Sequence, residues 1–363
     1  MTMTSKQRTE QHESFTWIDS VRQVGKFNQW TRRDWLKSVA TGSLGALATL
    51  PSDHGQLIAA ESDKCLVAIT LDLEMSANFP TRETTHWNFE KGNLNDETKK
   101  YSVEAARRVK AAGGLIHFFA VGRVFEQANI DWIAEIAKSG HPIGNHTYDH
   151  VNVTATTIND LQFRFQRSPW LLRGQSVDEA IRDNIQLTSK AMKSRLGVDP
   201  VGFRTPGGFA NGLRDHPKVR STLLDLGFDW VSSLYPPHPN SEPMQQPTAA
   251  VLEGIVAAQA RAQPFVYPDG LVEIPMSPIS DIGAFRTGQW RLEWFLQAVR
   301  EAVDWAIENR AVFDFLAHPS CLYVVDPDFK SIDLICDRVK KAGDRAMIAD
   351  LTTIARRAKG KNH

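Results

Sequence analysis

Leu66-Val67-Ala68-Ile69-Thr70-Leu71, followed at once by Asp72-Leu73-Glu74, is the stretch from which the architecture is read. Its compact apolar run is what a parallel strand buried on both faces requires. Side chains alternate along a strand, so Asp72 and Glu74 share a face and can address one ion or one water. Residues 81–100 are polar and read as a loop. Apolar residues then recur at helical spacing over 101–112 and stop at Gly113-Gly114, a C-cap signal. Residues 115–121 read as a second buried strand, and 131–138 as a helix closed by Gly140. The alternation continues through Gly202-Phe203-Arg204, a helix near 218–226, Phe228-Asp229-Trp230-Val231 and 271–274. A long amphipathic helix at 290–308, the strand 312–317 and a helix at 331–342 complete it. Repeated strand–helix units predict a parallel sheet with helices outside, closed into a barrel, with chemistry at the C-terminal strand ends. Two insertions, residues 163–174 and the Pro-rich 236–247, interrupt the pattern and are placed at the barrel mouth.

The sharpest motif is Gly144-Asn145-His146-Thr147-Tyr148-Asp149-His150. On one helical turn, positions i and i+4 lie on the same face, so both imidazoles would reach a single ion. In a His-Glu-x-x-His protease a Glu follows the first His as general base; here Thr147 stands there, and that reading lacks its base. Asp149 is expected as a hydrogen-bond partner of one ring. Elsewhere Arg204-Thr205-Pro206-Gly207-Gly208 ends a strand with a fixed cation, which would hold a carboxylate ionised and aimed. Phe313-Asp314-Phe315-Leu316-Ala317-His318-Pro319 ends another strand with a single His.

Composition narrows the field. With 363 residues, 42% of them hydrophobic, the chain can bury a large core. Lys+Arg and Asp+Glu balance at 42 each, so there is no basic field to hold a nucleic acid. Cys65, Cys321 and Cys336 are the only cysteines and form no Cys-x-x-Cys, which excludes a disulfide framework and a thiolate zinc knuckle. No Gly-x-Ser-x-Gly elbow, P-loop or dinucleotide fingerprint is present.

The N-terminus reads as an address. Thr31-Arg32-Arg33-Asp34-Trp35-Leu36-Lys37 precedes a mildly apolar, Gly- and Ala-containing segment to Leu50, an order that resembles a twin-arginine export signal. The apolar part is too short to span a membrane, which takes about 20 residues. Residues 1–60 are therefore expected as a targeting segment cleaved near Ala60, and 61–363 as the catalytic domain of an exported, periplasmic or extracellular protein.

Taken in order, these motifs resemble the polysaccharide deacetylase (NodB-homology) family of carbohydrate esterases. Asn145-His146-Thr147-Tyr148-Asp149-His150 fits its His-(Ser/Thr)-x-x-His metal motif, Arg204-Thr205-Pro206 its Arg-x-Pro motif, and Ala317-His318-Pro319 its late-strand His. Phe228-Asp229-Trp230 resembles the Asp/Trp motif less sharply. The resemblance implies a distorted (β/α) barrel and a divalent ion, zinc with cobalt, nickel or manganese as alternatives, held by an acid and two histidines. One departure matters. The family's first motif carries adjacent aspartates, whereas Leu73 here occupies the place of the metal-binding one. Glu74 is then the expected replacement ligand beside His146 and His150, with Asp72 as base, Arg204 orienting it and His318 as acid.

The expected activity is removal of N-acetyl or O-acetyl groups from a glycan, and Trp87, Trp170 and Trp230 could offer flat faces for sugar rings. Two other readings fit the same motifs: a cyclic amide or imide hydrolase, possible without metal, and an inactive glycan-binding module. The sequence leaves oligomeric state open.

Overall fold

The computed structural model describes residues 64–74 and 91–360. The paired arginines, the expected cleavage region near Ala60 and Trp87 lie outside the described residues.

The first strand, β1 (Cys65–Leu73), is buried along its whole length. Its two faces do different work. Cys65, Val67, Ile69, Leu71 and Leu73 pack into the large core between sheet and helices. Leu66 and Ala68 face a second apolar cluster inside the curl of the sheet, with Phe119, Trp230, Val272, Ile274 and Val312. That inner face continues upward through Thr70 and Asp72 to Glu74, so alternation carries the strand from an apolar floor to a polar rim.

The remaining strands are β2 (Ile116–Ala120), β3 (Ile143–Asn145), β4 (Phe203–Phe209), β5 (Trp230–Leu234), β6 (Phe265–Val266), β7 (Val272–Glu273), β8 (Val312–Ala317) and β9 (Ala346–Ile348). They form one sheet in the order β6-β7-β5-β4-β3-β2-β1-β8, with β9 on the lower end of β1. Every pairing is parallel except β6 with β7. Helices cross over between the parallel strands, as that geometry demands. The first, Asp96–Ala111, begins within the segment expected as loop, where Asn95 caps it by accepting from Thr98 N at 3.0 Å.

The sheet curls into a barrel without closing fully: β8 and β6 are the ends of the hydrogen-bonded path. The seam is bridged differently. Ser277 N donates to Asp314 O at 2.9 Å. Below it, Val312 N donates to the Gln263 side chain at 2.8 Å, and the Gln259 and Gln263 amides donate to Val312 O at 3.0 and 3.1 Å. These amides satisfy β8 edge groups that a neighbouring strand would otherwise take.

Close packing inside the curl depends on a glycine. Gly202 sits at φ +77°, and a Cβ there would lie 1.9 Å from the Trp230 ring. Gly202→Ala is expected to cost about 1–3 kcal/mol or more, from overpacking added to left-handed strain. Urea denaturation at neutral pH measures it; an unchanged midpoint would mean that Trp230 has room to move. Among the described residues, no helix is long and apolar enough to cross a membrane.

Candidate metal and acid–base site

Three side chains converge at the C-terminal mouth of the sheet. Glu74, His146 and His150 each offer one ligand atom, all within 4.8 Å of one another. Glu74 leaves the end of β1 on its inner face, as alternation requires, while Leu73 points into the helical layer and cannot reach the site. The histidines arrive by a route other than the expected helical turn. The segment after β3 is a loop in which Thr147 and His150 both adopt left-handed backbone, at φ 58° and 59°. Asn145 Oδ1 accepts from Thr147 N at 2.9 Å and Thr147 Oγ1 from Val151 N at 3.0 Å, so side chains replace a helical ladder. Two strained non-glycine residues in one short loop are a pattern that concentrates at functional sites.

The donor set suits a cation. His146 Nδ1 lies 2.9 Å from Arg204 O. A carbonyl only accepts, so that nitrogen carries a proton, and the tautomer this selects turns the Nε2 lone pair toward Glu74 Oε2, 2.9 Å away. His150 Nε2 also contacts Glu74 Oε2. Lone pairs meeting one carboxylate oxygen need a shared proton or cation, and two imidazoles with one carboxylate match borderline divalent ions. Burial alone would raise the Glu74 carboxyl, but the charges that face it, the Lys91 ammonium among them, outweigh it and hold it well below the usual range. Burial pushes His150 down to about 4 against the pull of Glu74, leaving a neutral imidazole available as a ligand at pH 7.

Asp72 lies one pleat below Glu74. Its Oδ1 accepts from Arg204 Nη1 at 3.0 Å, and its Oδ2 stands 3.8 Å from His146 Nε2. Arg204 is fully buried and also donates to Thr70 at 2.7 Å and, through Nη2, to Asp314 at 2.6 Å. Burial raises the Asp314 carboxyl to about 6 despite Arg204 and Thr70. On the other side of the triad, His318 Nε2 is 3.5 Å from Glu74 Oε1. Its Nδ1 and its backbone N–H both donate to Asp281, at 2.9 and 2.7 Å. Burial opposes the charged imidazole, but the carboxylates of Asp281, Glu74 and Asp72 raise it to about 9. Asp72, Glu74, His146, His150 and His318 line one cavity of about 350 Å³, together with Lys91, Gly207, Gly208, Tyr235, Met276, Ser280, Ile282, Arg286 and Leu316 among others.

Other expected residues fall elsewhere. Asp149 does not serve a histidine: its carboxylate pairs with Arg164 at 2.5 Å, because the left-handed turn at Thr147 points it away. Asp229 is at the surface, 3.6 Å from Lys359, and Trp230 is 3% exposed inside the curl, so neither lines the cavity. Trp170, 70% exposed, lies on the 163–174 insertion. Asp281, Asp314 and Lys91 are site neighbours that the sequence reading passed over.

The polysaccharide deacetylase family model matches residues 80–223, which hold His146, His150 and Arg204. Over that segment, less than half of the chain, the sequence is similar to the polysaccharide deacetylase family. The family's members are hydrolases acting on the C–N bonds of carbohydrate N-acetyl groups. Asp72 and Glu74 lie before the matched segment, and Asp281 and His318 after it. Among solved structures, a Mycobacterium smegmatis protein assigned as a polysaccharide deacetylase shares the fold, with a TM-score of 0.54 and 18% identity over 88% of this chain and 96% of that one. The PuuE allantoinase shares it with a TM-score of 0.55 and 14% identity over 82% of this chain and 91% of that one. At these identities the likeness is one of fold. No curated protein matches the chain.

Proposed function

We propose that this domain is a metal-dependent hydrolase that removes acetyl groups, N-linked first and O-linked second, from a glycan. The observation that carries the reading is the convergence of Glu74, His146 and His150, with Asp72–Arg204 and His318–Asp281 beside them in one cavity. A divalent ion held by the triad would lower the pKa of a water and polarise an acyl carbonyl. Asp72 has one oxygen tied to Arg204 and the other turned to the cavity, free to take a proton from that water as general base. The backbone near Gly207, in the cavity wall, offers an N–H to a developing oxyanion. His318 presents Nε2 to the cavity with Nδ1 tied to Asp281, the arrangement of an acid that protonates a leaving amine.

Acetate release from N-acetylglucosamine oligomers and from O-acetylated xylan, by zinc-reconstituted protein, tests the reading. Release from neither would set it aside. About one equivalent of zinc, cobalt, nickel or manganese per chain is expected by mass spectrometry, lost in the His146→Ala/His150→Ala variant. Equal metal in both proteins would remove the triad. A cyclic amide hydrolase is the second reading, favoured by a compact cavity walled partly by Met276, Ile282 and Leu316. Ring opening of a cyclic ureide or imide without acetate release would select it.

We also infer export by the twin-arginine-type segment within residues 1–60. A mature N-terminus read before residue 50 in cell-envelope fractions would count against its cleavage.

A further inference from the structure

Glu74 divides its two oxygens between two kinds of partner. Oε2 faces His146 and His150, while Oε1 accepts from Lys91 Nζ at 2.5 Å. Lys91 is 2% exposed, which is rare for a lysine and costs desolvation unless the ammonium is paired. The backbone holds it there. Gly92 N donates to Glu74 O at 2.8 Å, fastening the Lys91-Gly92 turn across the end of β1. Gly92 adopts φ +86°, and a Cβ on it would lie 2.6 Å from Arg123 Cβ, so only glycine lets the chain pass this close.

We infer that Lys91 is a built-in counter-cation for Glu74, a positioning residue that keeps the ligand triad assembled before an ion arrives and then competes with that ion. The inference rests on the metal reading given above. Without Lys91, a carboxylate buried beside Asp72 would have only the more distant His318, 3.5 Å from Oε1, to answer its charge in the ion-free protein, and would turn away or take up a proton. Lys91 removes that difficulty by occupying Oε1, which leaves Oε2 alone for a metal. The same contact has a cost for binding. A divalent ion and an ammonium on one carboxylate repel, and by linkage each weakens the other. Losing a residue that orients a ligand ordinarily weakens metal binding. Here repulsion between a double and a single charge, in a largely water-excluded site, outweighs that loss of orientation.

The test uses the full domain and its Lys91→Met variant, which keeps the stem and removes the charge. Zinc dissociation constants are measured by competition with a chromophoric chelator, and thermal midpoints with excess chelator or excess zinc. Lys91→Met is expected to bind zinc about ten-fold tighter or more, to melt lower than wild type in chelator, and to regain most of that loss in zinc. Wild type should also melt higher in zinc, by a smaller margin than Lys91→Met gains, and Lys91→Arg should behave as wild type. Equal or weaker zinc binding by Lys91→Met would overturn the competition. Equal melting of the two proteins in chelator would overturn the counter-cation. Should Lys91→Met fold only with zinc, the expectation is met in its extreme form; failure to fold even with zinc, with Glu74→Gln/Lys91→Met failing as well, would overturn it. If neither protein binds zinc, the metal reading fails by itself. A chelator-independent loss in Lys91→Met, repaired in Glu74→Gln/Lys91→Met, would still establish the pair.

Discussion

His318→Ala is expected to lower kcat for acetamide hydrolysis by about 10²–10⁴, the usual range for a general acid, with metal content unchanged. An amine leaves poorly without a proton, so the loss should be larger on N-acetyl than on O-acetyl substrates. Asp281 supplies a second, sharper test. Burial alone would favour the neutral imidazole, and Asp281 is the main charge reversing that, holding His318 at about 9. An acid must carry its proton, so activity should persist below that value and fall as pH rises through it. Asp281→Asn removes the anion while keeping an acceptor for the Nδ1 proton. Its alkaline limb should move to lower pH by a unit or more, with kcat affected more than KM. A pH–rate profile of kcat/KM for both proteins decides the matter. An unmoved limb would mean that another group sets it, and unchanged turnover in His318→Ala would remove that residue from the mechanism.

Much of this site was legible because strands alternate. The spacing of Asp72 and Glu74 after an apolar run put both on one face, and the structure has both lining one cavity. The histidine pair was legible for a different reason than its geometry: spacing suggested a helical turn, but left-handed residues at Thr147 and His150 bring the rings together. Local pattern cannot show that, since positive φ is uncommon for any non-glycine residue and rarest for a β-branched one such as Thr147. Asp314 did leave a signal. It is a charge between Phe313 and Phe315 in a strand buried throughout, and such a charge needs a partner. Asp281 and Lys91 left less. Asp281 lies 37 residues from the His318 it holds, and Lys91 17 residues from Glu74 across a polar stretch, so only the fold pairs them. The open seam was equally hidden, because the amides of Gln259, near the end of a helix, and Gln263, just past it, stand in for a strand neighbour.

Arg204→Met should produce the largest loss of stability, about 3–5 kcal/mol, the range for breaking a buried ion pair from one side. The fully buried guanidinium donates to Asp72, Thr70, Asp314 and Ser232, and it stacks 4.4 Å above the Phe119 ring. Methionine fills much of the volume and answers none of the charge, leaving Asp72 and Asp314 facing each other without a cation. Arg204→Lys should recover only part, because a point charge cannot serve both carboxylates as the planar fork does. The pH dependence fixes the cause. Already with Arg204 present, burial raises Asp314 to about 6, above its unfolded value near 3.9. A carboxyl raised in the folded state binds protons there preferentially, so its contribution is most favourable below the unfolded pKa and declines as pH rises through the folded one. Without Arg204 the folded value rises further. The stability gap between Arg204→Met and wild type should therefore be small near pH 4 and widen toward pH 7, as read from urea midpoints across that range. In Arg204→Met/Asp314→Asn one buried charge is gone, and the gap at pH 7 should shrink. A gap independent of pH would assign the loss to packing against Phe119 instead of to the two carboxylates.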